Sequence, residues 1–279
     1  MPDVRLIALD LDGTLLNSKK ELTPRSYAAL ESAAAAGIEI VPATGRFHKG
    51  MPEVIRALPF VRYVITINGA QVVDIRSGET VYSADIPTDE ALAFYEYLDT
   101  LPVIYDAYID GWGYMTGAMQ EALEGFGMLP FQLVMMRELR SPVPELKEYI
   151  RAGRRKVQKM QLFTPDSALR ERLLAALPGK YPQYAISASL PNNIEINSRD
   201  ADKGRALREL AKHLGLDIAQ TMAFGDGLND LAMLRAAGVG VAMDNAHPDV
   251  KAAADRIAPD CDSDGVAIVI EELLQGGIS

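Results

Sequence analysis

The chain begins with a short aliphatic run that ends in two carboxylates. Residues 4–9 read VRLIAL, and Asp10 and Asp12 follow with only Leu11 between them. Such a run predicts a strand buried on both faces of a parallel sheet. Because side chains repeat with period two, two residues at i and i+2 can lean toward the crevice where open parallel sheets bind ligands. The spacing therefore predicts that Asp10 and Asp12 serve one site.

A catalytic role for this pair competes with a structural role and with calcium binding. Aspartates after a strand often close turns through bonds to the backbone, and that interpretation stays open on this motif alone. A calcium loop is also suggested, because Asp10, Asp12 and Glu21 match its first, third and twelfth positions. The calcium loop fails because Leu15 stands where glycine is needed and a strand, not a helix, comes before it.

Composition restricts the partners of a chain of 279 residues, a length that we expect to form two domains. The 38 acidic residues exceed the 28 basic ones, and the net charge of −10 opposes binding to nucleic acid or an anionic membrane. The single cysteine, Cys261, excludes an internal disulfide, and three scattered histidines offer no zinc spacing. With neither an export signal nor a spanning segment recognisable, we expect a cytoplasmic protein.

Both ends of the chain alternate between predicted strands and helices. Strands are expected at 4–9, 38–45 and 63–67, with a helix that Thr23 caps after the first of them. Residues 70–74 and 80–85 resemble a hairpin. The same texture returns at IEIN (194–197), followed by a helix from about Lys203 to His213 and by the strand TMAFG (221–225). This order of elements predicts an α/β body.

The middle of the chain has a different residue composition and pattern. Aromatic residues concentrate there, and the candidate strands KVQKMQLFT (156–164) and YAISASL (184–190) mix polar with apolar residues. Such alternation suits an antiparallel sheet with one solvated face. We therefore predict that an α+β insertion, residues 85–192, interrupts an α/β core formed by residues 1–84 and 193–279.

Several polar motifs fall at predicted strand ends or helix starts. ATGR (43–46) follows the second strand and offers the hydroxyl of Thr44, the flexible Gly45 and Arg46. NGA begins with Asn68 after the third strand, and Lys203 opens a helix where backbone N–H groups also attract anions. Each of these signals is weak when taken alone.

The strongest late motif is FGDGLND (224–230), in which Asp226 ends a strand and Asn229 and Asp230 open the next helix. If these carboxylates meet Asp10 and Asp12 at one sheet edge, each pair at about 4 Å costs roughly 4 kcal/mol at an effective dielectric near 20. Such a cluster needs a cation, and oxygen ligands without His or Cys favour Mg²⁺. The sequence therefore predicts a magnesium site that also accepts a phosphate group.

Four motifs together resemble those of the haloacid dehalogenase-like phosphohydrolases: DLDGT (10–14), ATGR, DKG (202–204) and GDGLND (225–230). TING (66–69), GVAMDNAHPDVKAAAD (240–255) and DGVA (264–267) resemble the Cof-type branch of that superfamily. The resemblance implies a Rossmann-like core, with a mostly parallel sheet and helices on both faces. It also implies that residues 85–192 form an inserted α/β cap that selects the substrate.

The resemblance implies a role for each acidic motif residue. Asp10 would attack phosphorus and form an aspartyl phosphate. Asp12 would protonate the leaving oxygen and then activate water, while its backbone carbonyl helps to hold Mg²⁺. Asp226 would bind the ion directly, and Asp230, with Asn229, would support it, Asp230 being the residue expected to contact it directly or through water.

The remaining motif residues would contact the substrate. Thr44, Gly45 and Lys203 would bind the transferring phosphoryl group and stabilise its charge. The residues expected on the substrate side are Asn68, Arg46, Asn229 and Asn245.

The function implied is hydrolysis of a small phosphomonoester, such as a sugar phosphate or a phosphorylated cofactor, with Mg²⁺ as cofactor. A phosphomutase of the same superfamily is an alternative, in which the phosphoryl group returns to the sugar. A binder of a phosphorylated metabolite without turnover is a third. One chain gives no indication of the oligomeric state.

Overall fold

The computed structural model describes residues 3–276, so residues 1–2 and 277–279 of the predicted core lie outside the described part. The chain divides into two compact units, Met1–Ser83 with Asp202–Ser279, and Ala84–Ala201. The strands are β1 (Leu6–Leu9), β2 (Glu39–Pro42), β3 (Tyr63–Thr66), β4 (Gln71–Asp74), β5 (Thr80–Ser83), β6 (Ile104–Ile109), β7 (Trp112–Thr116), β8 (Arg140–Val143), β9 (Lys159–Phe163), β10 (Tyr184–Ser187), β11 (Asn193–Ser198), β12 (Thr221–Gly225), β13 (Val239–Met243) and β14 (Arg256–Ala258).

The helices are α1 (Pro24–Ala35), α2 (Glu53–Arg56), α3 (Thr88–Leu98), α4 (Gly117–Ala122), α5 (Pro130–Glu138), α6 (Leu146–Ala152), α7 (Ser167–Lys180), α8 (Lys203–His213), α9 (Leu231–Ala236), α10 (Pro248–Ala253) and α11 (Gly265–Leu274). Within residues 3–276, none of the helices is both long and apolar enough to cross a bilayer.

A five-stranded parallel sheet, in the order β14-β13-β12-β1-β2, forms the centre of the first unit. All four residues of β1 are fully buried, as expected for an aliphatic strand between two neighbours and two layers. Helix α1 packs against α11, and α8 packs against α9, so these helix pairs cover the sheet. The predicted α/β class with a mostly parallel sheet is confirmed.

The predicted third strand and hairpin form a separate antiparallel sheet, in the order β3-β4-β5. Two isolated parallel bridges, Ile40 with Val61 and Ala43 with Ile65, connect its β3 side to the β2 edge. The end of β3 therefore lies beside the end of β2, which brings the TING segment near the ATGR segment.

The second unit contains a six-stranded sheet, in the order β10-β11-β9-β6-β7-β8, whose pairs are antiparallel except β7 with β8. Helices α3, α6 and α7 contribute the buried apolar side chains that pack on one face of this sheet. The other face carries charged and amide side chains from β6, β9 and β11 that are also buried. The predicted α+β insertion with an antiparallel sheet is thus present, but the polar face that we expected to be solvated is buried.

The boundary after the insertion differs from the predicted one. We expected the core to resume at 193, but β11 pairs antiparallel with β9 and β10, and the first unit resumes at Asp202. The physical reason is the alternation in β11. Asn193, Glu195 and Asn197 alternate with Ile194 and Ile196, a pattern that fits a sheet with one polar face and not the uniformly apolar centre of the core.

Candidate active site

The carboxyl ends of β1 and β12 bring the first and last acidic motifs together. The two strands pair in parallel with Leu9 opposite Phe224, and the Asp10 N–H donates to the Phe224 carbonyl at 3.0 Å. Asp10 and Asp226 therefore follow adjacent strands at the same sheet edge. One carboxylate oxygen each of Asp10, Asp226 and Asp230 lies within 4.8 Å of the others. The structure thus brings together three of the four predicted metal residues.

Lys203 supplies the positive charge of this cluster. Its side chain is fully buried, and Nζ lies 2.6 Å from Asp10 Oδ1 and 2.6 Å from Asp230 Oδ1. Lys203 begins α8, and Asp202 caps that helix by accepting from the Arg205 N–H at 2.8 Å. Burial alone lowers the pKa of the ammonium, but Asp10 and Asp230 outweigh this effect and raise it above its ordinary value. Lys203 is therefore a permanent cation between two carboxylates.

Asp10 itself is held in an environment that disfavours its charge. Burial raises the pKa of Asp10 to about 7; Lys203 opposes the increase, while Asp230 and Asp226 add to it. A further cation near this carboxylate would favour the ionised form. The electrostatics of the site thus suit a bound divalent ion.

Asp226 is positioned by the turn that follows β1. Gly13 has φ +95°, and a Cβ built on it would lie 2.5 Å from Asp226 Oδ2, so only glycine lets the turn approach this closely. Thr14 Oγ1 donates to Asp226 Oδ1 at 2.8 Å. Burial raises the pKa of Asp226, and the Thr14 hydrogen bond opposes that increase. Thr14 is thus a supporting residue that the predicted site did not include, although the DLDGT motif contains it.

Both carboxylate oxygens of Asp230 already have partners. Oδ1 contacts Lys203, and Oδ2 accepts from the N–H groups of Asp226 and Gly227 at 3.1 and 2.9 Å. Gly225 leaves the room for this arrangement, because a Cβ there would lie 2.4 Å from the Asp230 Cβ. The Asp230 carboxylate therefore holds the Lys203 ammonium and the backbone N–H groups of residues 226 and 227 in place.

The Asp12 side chain points to a different set of partners. Arg46 donates to Asp12 Oδ2 from Nε at 3.1 Å and from Nη2 at 3.0 Å, and Lys20 Nζ lies 3.1 Å from Asp12 Oδ1. Burial tends to raise the pKa of Asp12, but Arg46 and Lys20 lower it below its ordinary value. Arg46, predicted on the substrate side, thus pairs with Asp12. The ion pair with Lys20 had no sequence signal.

A second group forms around the predicted phosphate-binding loop. Thr44 is buried, its Oγ1 accepts from the Arg46 N–H at 3.2 Å, and its carbonyl accepts from the Asn68 N–H at 3.1 Å. A Cβ on Gly45 would lie 2.8 Å from Asn68 Oδ1, and that oxygen accepts from Asn229 Nδ2 at 3.3 Å. Thr44, Gly45, Asn68 and Asn229 are therefore neighbours.

Asn245 lies elsewhere, on the loop after β13. Its Nδ2 donates to the Gly13 carbonyl at 2.8 Å, and its Oδ1 accepts from the Cys261 N–H at 3.0 Å. Both polar atoms of its amide thus hold backbone groups, which makes Asn245 a connector between the 10–14 turn and the 260–262 segment.

Comparison with known proteins agrees with this arrangement. Residues 7–270 match the family of haloacid dehalogenase-like hydrolases. Phosphatase YwpJ of Bacillus subtilis (strain 168) is 34% identical, over 97% of this chain and all of the relative. Pyridoxal phosphate phosphatase YbhA of Escherichia coli (strain K12) is 31% identical, over 94% of this chain and 96% of the relative. The crystal structure of a haloacid dehalogenase-like hydrolase from Bacteroides thetaiotaomicron superimposes with a TM-score of 0.81 at 28% identity, covering 97% of this chain and 99% of that one.

The protein is of the α/β class, with three aspartates and a buried lysine grouped at the carboxyl edge of its parallel sheet. The chain belongs to the haloacid dehalogenase-like hydrolases, in the Cof-type branch that its motifs resembled. The predicted family is confirmed, and the protein is an enzyme of that family.

Proposed function

We propose that the protein is a Mg²⁺-dependent phosphatase that hydrolyses a small phosphomonoester through an aspartyl phosphate. The observation that carries the proposal is the position of Asp10. It lies at a sheet edge with Lys203 at 2.6 Å and with the carboxylates of Asp226 and Asp230 within reach of one ion. This arrangement supports roles for Asp10 as nucleophile, for Lys203 as a fixed cation and for the carboxylates as metal ligands.

The donor set fits Mg²⁺. The cluster offers carboxylate oxygens, the ligands that this hard cation prefers, and a small number of them leaves room for waters and a substrate oxygen. Asp10, Asp226 and the Asp12 backbone carbonyl would hold the ion, with Asp230 in support. When bound, the ion supplies positive charge that neutralises the carboxylates and the phosphate dianion.

The residues of the chain would carry two successive displacements. An Asp10 oxygen forms a bond to phosphorus, the ester P–O bond breaks, and Asp12 gives its proton to the leaving oxygen. Asp12 then takes a proton from water while the water oxygen attacks phosphorus; the bond between phosphorus and the Asp10 oxygen breaks, which releases phosphate and restores the Asp10 carboxylate. Arg46 and Lys20 favour the ionised form of Asp12, which suits the base of the second step. For the first step, Asp12 has to take up a proton before the ester bond breaks.

The phosphoryl oxygens need partners that are present before the reaction begins. Lys203 is suited to this because its ammonium is buried, charged and fixed by two carboxylates. Thr44 and Gly45, at the end of the adjacent strand β2, would bind the other oxygens. Donors fixed in advance stabilise charge as it develops, because no reorganisation is needed during the reaction.

A small phosphorylated metabolite, a sugar phosphate or a phosphorylated cofactor, is the proposed substrate. The relative from Escherichia coli is named as a pyridoxal phosphate phosphatase, which supports a substrate of this size. We further propose that the second unit is the cap that selects among such substrates. Asn68 and Asn229 remain proposed contacts on the substrate side.

The decisive experiment measures phosphate release from a panel of phosphorylated metabolites with Mg²⁺ and with EDTA. We expect turnover only with Mg²⁺, none in Asp10→Asn, and a loss of about 10²–10³-fold in kcat for Lys203→Met. Asp89→Asn, an exposed aspartate of α3, is the matched control and should retain wild-type rates. Wild-type turnover in Asp10→Asn would contradict the proposal, and an isomeric ester in place of free phosphate would indicate a mutase.

A further inference from the structure

The turn Ile67–Gly69 has an unusual backbone. Ile67, Asn68 and Gly69 have φ of +54°, +56° and +91° in succession. A β-branched residue at positive φ is a clear outlier, and such a conformation persists only where the surroundings impose it. The turn is therefore held in place by its neighbours on both sides.

On one side, the turn is bonded to the loop after β2. The Thr44 N–H donates to the Ile65 carbonyl at 2.9 Å, and the Asn68 N–H donates to the Thr44 carbonyl at 3.1 Å. The Ile67 N–H donates to the Arg46 carbonyl at 3.0 Å. Two backbone hydrogen bonds thus join the turn to residues 44 and 46, and a third joins the preceding strand β3 to Thr44.

On the other side, the turn contacts the beginning of α8. A Cβ built on Gly69 would lie 2.3 Å from the carbonyl carbon and oxygen of Asp202 and 2.6 Å from the Lys203 nitrogen. These are backbone atoms, which cannot move aside as the end of a flexible side chain can. The absence of a side chain at position 69 therefore sets how closely the turn approaches Lys203.

The first turn of helix α8 is equally restricted on its other side, where it faces α9. A Cβ on Gly204 would lie 3.1 Å from Asp202 Oδ1 and only 2.1 Å from the Ala232 carbonyl oxygen of α9. The backbone of Lys203 thus lies between two glycine contacts, one with the turn and one with α9. The ammonium position of this long side chain thus depends on a closely packed backbone as well as on the two carboxylates that Nζ contacts.

We propose that the turn Ile67–Gly69 is a positioning element that fixes the Lys203 ammonium relative to Thr44, with Gly69 as the positioning residue. The inference rests on the proposed function, in which these two groups bind the same phosphoryl group. The turn connects them through backbone hydrogen bonds on one side and backbone contact on the other. Catalysis is sensitive to such placement, since an error of about 1 Å can reduce a rate by about 10²-fold.

The test compares Gly69→Ala with Gly78→Ala. Both glycines have positive φ, +91° and +76°, so both variants introduce the same kind of backbone strain. Among the described residues, however, nothing lies within 4 Å of a Cβ built on Gly78. We expect kcat/KM for p-nitrophenyl phosphate to fall about 10²-fold in Gly69→Ala, mostly through kcat, and to stay near wild type in Gly78→Ala. Equal values in the two variants would overturn the proposal.

A double-mutant cycle tests whether Gly69 acts through Lys203. If it does, adding Gly69→Ala to Lys203→Arg changes kcat/KM little, because the ammonium that the turn positions is already replaced. A purely structural role predicts instead that Gly69→Ala lowers kcat/KM by the same factor in both backgrounds, and that result would overturn the proposal.

Calorimetric binding of inorganic phosphate in the presence of Mg²⁺ separates this inference from the proposed function. If the wild type lacks turnover, the proposed function fails, while weaker phosphate binding in Gly69→Ala than in Gly78→Ala still supports the positioning role. If Gly69→Ala does not fold, Ile67→Gly replaces it, because glycine at this positive φ loosens the turn and leaves the Asn68 amide, a proposed substrate contact, in place. Wild-type phosphate affinity and kcat/KM in that variant would overturn the inference.

Discussion

Asp10 has to satisfy two opposing requirements. As the proposed nucleophile, Asp10 must be ionised, yet burial and the neighbouring carboxylates raise its pKa to about 7. Lys203 offsets part of this cost through its contact at 2.6 Å, and a bound cation would offset more. The protein alone thus compensates the negative charge of ionised Asp10 only in part.

This environment predicts a pH dependence of stability in the metal-free protein. Between about pH 4 and pH 7 the folded state retains a proton on Asp10 that the unfolded chain has lost, so the free energy of unfolding decreases as pH rises through this window. Urea unfolding in EDTA at a series of pH values measures this dependence of the unfolding free energy on pH. We expect Asp10→Asn to lack this component and Asp89→Asn to keep it; identical profiles for all three proteins would contradict the assignment.

Thr14 gives a second test at the scale of a single side chain. Its hydroxyl donates to Asp226 at 2.8 Å, so Thr14→Val should leave that carboxylate less well oriented. We expect the Mg²⁺ dissociation constant, measured by calorimetry, to rise about 10–100-fold. Thr14→Ser keeps the hydroxyl and is the matched control. An unchanged affinity in Thr14→Val would show that the hydrogen bond does not support the metal site.

The sequence identified the residues that lie at strand ends but not every bond between them. Asp10, Asp226 and Lys203 were predicted because their motifs fall at element boundaries, which parallel topology brings to one edge. The ion pair of Asp12 with Arg46 was not predicted, since two residues 34 positions apart carry no local signal of their contact. Geometry at this scale depends on packing, which no single motif encodes.

At the scale of elements, strand β11 is a case in which the local residue pattern predicts the wrong sheet. Its IEI core resembles a buried core strand, and we placed it in the first unit, but it lies in the sheet of the second. By contrast, α8 was predicted with its observed bounds, because Asp202 caps it and an apolar face follows. Helix ends are encoded locally, whereas strand partners depend on distant residues.

The six-stranded sheet of the second unit contains a buried ion pair, and loss of this pair should destabilise the protein. Arg140 Nε donates to Asp106 Oδ2 at 2.6 Å, and the two residues are 5% and 0% exposed. Arg140→Met leaves a buried carboxylate without its cation, so we expect about 3–5 kcal/mol lower unfolding free energy in urea.

The double variant Asp106→Leu/Arg140→Met serves as the control for this pair. Because it removes both charges, it should recover part of the loss. A double variant less stable than Arg140→Met would show that the carboxylate has other essential partners.

At the scale of the whole molecule, the proposed catalytic residues come from two separated segments of one unit. Asp10 belongs to the segment before the insertion, and Lys203, Asp226 and Asp230 belong to the segment after it. Asp10, Asp226 and Asp230, the proposed metal-binding cluster, therefore all belong to the first unit.

This division predicts what removal of the second unit would do. A chain in which a flexible Gly/Ser linker replaces residues 84–201 should fold, because β5 and α8, which flank the insertion, pack against each other in the first unit. We expect near wild-type Mg²⁺ affinity by calorimetry and loss of discrimination among phosphate esters. Loss of Mg²⁺ binding in a folded deletion protein would contradict the assignment of the metal site to the first unit alone.

The order of strands in the central sheet has a consequence for synthesis on the ribosome. Strand β1 acquires its neighbour β2 early, but its other neighbour, β12, emerges about two hundred residues later. At typical elongation rates this delay lasts about 10–40 s, during which one edge of a fully apolar strand has no partner. The proposed reactive centre therefore cannot form before residues 221–230 have left the ribosome.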